Sequence, residues 1–174
     1  MSAHAQLRAA TRDAHDRVDA LFASLDLADR DDYAAFLAAQ ARAYLPLEEA
    51  LTAAGAANHV EDWDATRRGQ LLLSDLTDLG VAKPDPVAPP PLNDDAELIG
   101  ALYVLEGSRL GGAMLRKSVP DTLPSRFLSA RPPSGHWKRV IALLERKLYS
   151  SARLEAATAG ALRAFALFEL GSGK

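Results

Sequence analysis

The chain has 174 residues, of which 48% are hydrophobic and 25% charged, and its formal net charge is -3 at pH 7. This length and balance predict one globular domain over residues 1–174, and the slight acidic excess is the opposite of what a nucleic-acid-binding surface requires. Because no apolar run approaches the roughly 18 residues of a membrane span and the first residues lack a secretory signal, we expect a cytoplasmic protein.

Apolar residues recur at three- and four-residue spacing through most of the chain, whereas no segment shows the alternation of a strand. In chain order the pattern predicts helices over residues 2–22, 32–51, 62–79, 95–117, 136–149 and 152–170. Pro46 removes a backbone donor and is expected to bend the second helix. Gly80 is expected to end the third, and Asn93 or Asp94 to cap the fourth. Residues 83–93 and 119–135 are predicted loops, so the expected fold class is all-α.

The fourth predicted helix, ELIGALYVLEGSRLGGAMLRK over residues 97–117, carries four glycines. Each interior glycine costs a helix about 1 kcal/mol relative to alanine, so the missing side chains need a reason. Gly100, Tyr103, Gly107, Gly111 and Met114 lie on one stripe of the helix. Two interpretations remain open: close packing against another helix, or a flat ligand lying directly on bare backbone.

Histidine offers the other candidate site, because the chain has four histidines and no cysteine, which excludes thiolate ligands and iron–sulfur clusters. At about 100° per residue, Arg8, Arg12 and Asp19 fall within roughly 60° of His15. Asp19 can fix the tautomer of a metal-binding imidazole, and the arginines suit the carboxylates of a bound anion. The ring is expected at the interior edge, beside Thr11 and Val18. A satisfied core histidine with solvated arginines is the alternative.

Three segments resemble the haem oxygenase family, in its compact bacterial type associated with phytochromes. LRAATRDAHDRVDALF at residues 7–22 is similar to the helix of that family that carries the proximal histidine. LYVLEGSRLGGAML at residues 102–115 is similar to its distal helix. The closing FALFEL at residues 165–170 is similar to the aromatic-rich end of the family. Two such motifs about 90 residues apart are more specific than either one alone.

The resemblance implies a single-domain helical bundle with haem between the first helix and the glycine-rich helix. His15 is then the iron ligand, oriented by Asp19, while Gly107 and Gly111 place bare backbone over the distal face. The other implied haem contacts, of which the basic ones meet the propionates, are Arg8, Arg12, Tyr103, Gly112, Met114 and Lys117.

The reaction implied by the resemblance opens haem with dioxygen and electrons from an external donor, a reductase or ferredoxin, to give biliverdin, carbon monoxide and iron. A phytochrome is the implied acceptor of the bilin. Ser108 stands where many members have an aspartate, and we expect Ser108 or backbone carbonyls to hold ordered water for proton delivery. Two alternatives remain: a non-catalytic haem- or bilin-binding protein of the same fold, and a helical interaction protein whose glycines only permit close packing.

Overall fold

The computed structural model describes all residues from Met1 to Lys174 and contains helices, turns and loops but no strand. The predicted all-α class is therefore confirmed. Short 3₁₀ turns occur at Ala56–Asn58 and Arg116–Ser118. None of the helices has both the length and the apolar character needed to cross a bilayer. The α-helices are α1 (Ala3–Phe22), α2 (Arg30–Ala53), α3 (Trp63–Thr66), α4 (Gly69–Asp78), α5 (Asp95–Leu115), α6 (Arg126–Ser129), α7 (His136–Lys147) and α8 (Ser151–Gly171).

Local signals account for several helix boundaries. The Asp94 side chain accepts hydrogen bonds from the backbone N–H groups of Ala96 at 2.8 Å and Glu97 at 2.9 Å, so it caps α5 as predicted. Gly80 follows the end of α4 with a φ of 72°, a conformation that glycine adopts without strain. The helix-ending role predicted for Gly80 is therefore confirmed.

The predicted third helix is wrong, because the chain breaks at Arg67 and Arg68 into the separate helices α3 and α4. The cause is Glu48, a residue of α2 that is 3% exposed. Its carboxylate accepts hydrogen bonds from the backbone N–H of Arg68 at 2.8 Å and of Gly69 at 3.2 Å. A side chain from another helix thus supplies the cap for α4, which the local sequence does not reveal.

Residues 119–135, predicted as loop, contain the short helix α6 for a similar reason. Buried Asp75 of α4 accepts hydrogen bonds from the backbone N–H of Arg126 at 3.1 Å and of Phe127 at 2.8 Å. The second predicted helix begins at Arg30, and Pro46 lies inside it without ending it. The two closing helices, α7 and α8, agree with the prediction within about two residues.

Helix α8 lies at the centre of the bundle and packs on α1, α2 and, most extensively, α5. The α5–α8 contact brings two backbones together. A Cβ atom at Gly100 would lie 1.8 Å from the carbonyl oxygen of Ala157, and one at Gly160 would lie 2.1 Å from that of Glu97. The close-packing interpretation therefore holds for Gly100. One cluster of 37 buried residues fills the space between the helices.

Replacing Gly100 with alanine is expected to destabilise the protein by about 3 kcal/mol, because α5 and α8 must separate to admit the methyl group. Urea unfolding of the ligand-free protein measures the change. The matched control is Gly111→Ala on the same helix, where no protein atom lies within 4 Å of the new Cβ and stability should rise by up to about 1 kcal/mol. A Gly100→Ala variant as stable as the wild type would contradict the backbone contact.

Candidate functional site

The second half of α5 presents an open glycine face. The nearest atom to a Cβ at Gly107 is Trp137 Cη2 at 3.7 Å, and nothing lies within 4 Å of one at Gly111. Beside them, Leu110 and Met114 are 51% and 64% exposed. Helix packing therefore accounts for Gly100 but not for Gly107 and Gly111, and these two leave space for a ligand against the backbone.

Two further predicted haem contacts differ in their position relative to this open face. Gly112 lies on another side of α5, and Lys117 lies at the end of the face. Gly112 is buried on another side of α5, where a Cβ would lie 3.4 Å from Leu128 Cδ2 and 3.9 Å from Arg68 Nη1. Lys117 is exposed in the turn that follows α5, with Nζ 3.9 Å from Met114 Sδ. The structure thus brings Lys117 to the open face beside Met114, whereas Gly112 faces the protein interior.

The His15 side chain is 58% exposed, so the prediction that it points to the interior edge is wrong. Its ring packs edge-on against Phe165 of α8, with ring centroids 6.0 Å apart. Nδ1 lies 3.4 Å from Asp19 Oδ2 and 3.6 Å from Asp16 Oδ1, slightly beyond normal hydrogen-bond length. These carboxylates favour a proton on Nδ1, and Nε2, which has no partner in the protein, is then free to bind a ligand.

The contact between His4 and Tyr103 shows that α1 and α5 approach one another. Burial raises the pKa of the Tyr103 hydroxyl, and the nearby charge of Arg8 acts in the opposite direction. The His4 ring of α1 packs edge-on against Tyr103, with centroids 5.8 Å apart. Both Arg8 and Arg12 are exposed, and neither forms an ion pair with a carboxylate of the chain. These two guanidiniums are therefore available to an external anion.

The start of α1 is held by a carboxylate of α7. Glu145 accepts hydrogen bonds from the backbone N–H of Ala3 and of His4, each at 3.0 Å. The bond from His4 is the largest influence that lowers the pKa of Glu145. This contact fixes the end of α1 next to Tyr103, and sequence patterns gave no sign of it because the partners are more than 140 residues apart.

Ser108 is hydrogen bonded to a buried arginine. Its hydroxyl donates to the carbonyl oxygen of Leu105 at 2.6 Å and accepts from Arg68 Nη2 at 2.8 Å. Arg68 is 2% exposed, its Nε donates to the Tyr44 hydroxyl at 3.3 Å, and its guanidinium lies over the Phe127 ring at 4.6 Å. Sequence analysis missed Arg68, because the periodicity placed it inside one continuous helix and its partners Tyr44 and Ser108 are distant in the chain.

Glu106, directly before Gly107, is the centre of a second buried network. Its Oε2 lies 2.6 Å from His136 Nε2 and 2.6 Å from Arg109 Nε, and Arg109 also donates to the carbonyl oxygen of Thr66. Burial alone would raise the pKa of Glu106, but the hydrogen bonds from His136 and Arg109 outweigh it and leave the pKa below its ordinary value. Sequence analysis did not connect His136 with this helix.

These features define a class: an all-helical protein with an open glycine face on one helix and a free imidazole nitrogen on another. No family model matches the chain. A haem oxygenase from Xanthomonas campestris pv. campestris (strain 8004) is 37% identical over 147 residues, which cover 80% of this chain and 88% of that protein. The haem oxygenase PigA from Pseudomonas aeruginosa is 31% identical over 153 residues, 80% of this chain and 76% of that protein.

Solved structures of haem oxygenases have the same fold as this chain. The haem oxygenase from Neisseria meningitidis, studied with NO and CO bound, has a TM-score of 0.85 and 25% identity and covers 99% of this chain and 90% of that one. The haem oxygenase from Leptospira interrogans has the same fold, with a TM-score of 0.72, 19% identity and coverage of 99% and 98%. The chain belongs to the haem oxygenase family, and haem degradation is the function that this membership supports.

The Glu106 network predicts a pH-dependent stability. Glu106→Gln should lower the free energy of unfolding by about 3 kcal/mol at pH 7, because it removes one partner of a buried charged network. Since the pKa of Glu106 is lower in the folded chain than its ordinary value of 4.5, the charge stabilises fully above that value, and the contribution is lost as pH falls through the folded-state pKa.

Urea unfolding of wild type and variant between pH 7 and about pH 3 measures this difference, which should shrink below the ordinary pKa of 4.5. Glu49→Gln, at an exposed glutamate of α2, is the control and should follow the wild type. A difference that stays constant with pH would show that the lost stabilisation does not come from the ionised carboxylate.

Proposed function

We propose that this chain binds haem between α1 and the open glycine face of α5 and opens it to biliverdin, with release of carbon monoxide and iron. The observation that carries the proposal is that the glycines of α5 fall into two groups, one packed against another helix and one open to solvent. The space beside Gly100 is filled by the backbone of α8. A Cβ at Gly107 would meet only the edge of the Trp137 ring, at 3.7 Å, and one at Gly111 would meet no protein atom within 4 Å. A planar ligand can approach bare backbone there.

The residues around this space fit the chemical groups of haem. His15 offers an imidazole nitrogen without a protein partner, and imidazole is a common axial ligand of haem iron. Asp19, together with Asp16, favours a proton on Nδ1 and so directs Nε2 toward a ligand. Tyr103, Leu110 and Met114 supply the apolar contact that a macrocycle needs.

The basic residues fit the two propionates. Arg8 lies one helical turn after His4, whose ring packs on Tyr103, and Arg12 follows one turn later on α1. Lys117 lies near Met114 at the end of α5. None of the three forms an ion pair with a carboxylate of the chain, so each can pair with a propionate. Gly112 faces Arg68 and Leu128 on another side of α5, so the proposal gives it no contact with haem.

Haem, when bound, supplies the redox chemistry of its iron and is also the substrate. The protein contributes space, orientation and protons. Gly107 and Gly111 keep side chains away from the reacting edge. The Ser108 hydroxyl donates its hydrogen to the carbonyl oxygen of Leu105 and accepts a hydrogen bond from Arg68. Its second lone pair can therefore accept a hydrogen bond from an ordered water. Arg68 fixes the direction of that lone pair.

Electrons come from an external donor, which we propose is a reductase or ferredoxin of the cytoplasm, and a phytochrome is the proposed acceptor of the bilin. A haem- or bilin-binding protein of the same fold without turnover is the second candidate. It is favoured by the absence of an ionisable side chain at Ser108, and turnover separates the two.

Reconstitution tests the reaction. Haem bound to the wild type, supplied with a reductant in air, should lose its Soret band and yield biliverdin and carbon monoxide. His15→Ala should lose the imidazole-ligated spectrum and regain it with added imidazole, whereas His59→Ala should behave like the wild type. A haem spectrum that stays unchanged after prolonged reduction in air would sink the proposal and leave the non-catalytic candidate.

The open face has its own test. Gly111→Leu should leave the haem-free protein folded, because its Cβ meets no protein atom within 4 Å, and should weaken haem binding by about tenfold or more. The control is Ala113→Leu, an equal bulk at an exposed position of α5 about 200° around the helix from Gly111. Equal haem affinity of both variants, measured by spectroscopic titration, would argue against a ligand on this face.

A further inference from the structure

The geometry points to His136 as a positioning residue that holds the glycine face of α5 in place through Glu106. The purpose of this positioning, an open face for haem, rests on the proposed function. The positioning itself depends only on contacts within the chain. We call Glu106, Arg109 and His136 the buried triad. His136 is 4% exposed and Glu106 1% exposed, and the proposed function uses neither of them.

The need for such a residue follows from the composition of α5. From residue 107 to residue 112 the helix contains three glycines, each of which weakens a helix relative to alanine. On the open face this stretch has little to pack with, because Gly107 and Gly111 carry no side chain and Leu110 is 51% exposed. Its position must therefore be fixed from the other side, where Glu106 and Arg109 are buried.

The buried triad ties this stretch to two different elements. Arg109 donates to the carbonyl oxygen of Thr66, the last residue of α3. Glu106 contacts His136, the first residue of α7. Gly107 and Ser108 lie between these two attachments along the chain. Ser108 is held in addition by the hydrogen bond from Arg68, whereas Gly107 has no side chain and depends on the buried triad.

Consecutive residues of α7 contact consecutive residues of α5. His136 contacts Glu106, and the ring of Trp137 is the nearest group to Gly107, 3.7 Å from the position of a Cβ. Trp137 also stacks on Tyr103, with centroids 6.0 Å apart. A shift of His136 therefore moves the edge of the open face together with its backbone.

His136 also separates Glu106 from water. It lines a cavity of about 250 Å³ between α7 and the residues that precede α3, and the charged groups around this cavity are Glu61, Arg139 and Arg146. A side chain without a donor at position 136 would leave the carboxylate with one partner fewer, and burying a carboxylate without its partners is costly. The α5 backbone would then yield at Gly107.

Hydrogen exchange of the haem-free protein tests this positioning role. The variants are His136→Leu, which removes the donor, and His136→Gln, whose amide can still donate to Glu106. The matched control is His59→Leu. His59 lines the same cavity and lies 3.5 Å from Asp95, at the other end of the same helix α5.

His136→Leu should accelerate exchange of the backbone amides of residues 107–111 by about tenfold, as expected for the loss of one hydrogen bond to a charged group. Amides in the middle of α1 and α8 should stay at wild-type rates. His136→Gln should restore most of the protection, and His59→Leu should leave residues 107–111 unchanged.

Glu106→Gln provides a second variant in case His136→Leu does not fold, and it should accelerate the same amides at least as much, because Glu106 is bonded to both His136 and Arg109. Acceleration spread evenly over all helices, an equal effect of His59→Leu, or unchanged exchange at residues 107–111 would each overturn the inference. Because the measurement uses haem-free protein, failure of haem turnover in the wild type does not affect it.

Discussion

The backbone contact between α5 and α8 is the constraint on which the rest of the structure depends. Gly100 and Gly160 let each helix touch the carbonyl oxygen of the other, and α8 also packs on α1 and α2. The stripe of α5 that is buried at Gly100 continues to Gly107 and Gly111, where α8 no longer covers it. The first half of α5 is therefore part of the core, and its second half forms one side of the candidate site. Glycine permits a close approach in both places, of a helix in the first half and of a ligand in the second.

Buried carboxylates fix the parts of the chain that have weak helix propensity. Glu48 caps α4, Asp75 caps α6, and Glu106 connects α5 with α7. A buried carboxylate is costly unless it is fully hydrogen bonded, so each of these residues has a defined geometry. As a result, the open face of α5 has few side chains, while the opposite face of α5 is held by several buried hydrogen bonds.

The sequence by itself determined the all-α class, the extents of most helices and the resemblance to the haem oxygenase family, which the relatives confirm. These depend on periodicity and on caps such as Asp94, whose partners lie two and three residues away. It also selected Gly107 and Gly111, because unexplained glycines in a helix are visible without a structure. The roles proposed for His15, Arg8 and Arg12 stay predictions.

Only the tertiary structure decided which glycines pack and which stay open, that His15 lies at the surface edge, and that the third predicted helix breaks at Arg68. It also paired Arg68 with Ser108 and His136 with Glu106, which are 40 and 30 residues apart in the chain. The physical reason is common to all of them. Exposure and buried hydrogen bonds depend on neighbours in space, and a local pattern contains no information about which distant residue becomes the neighbour.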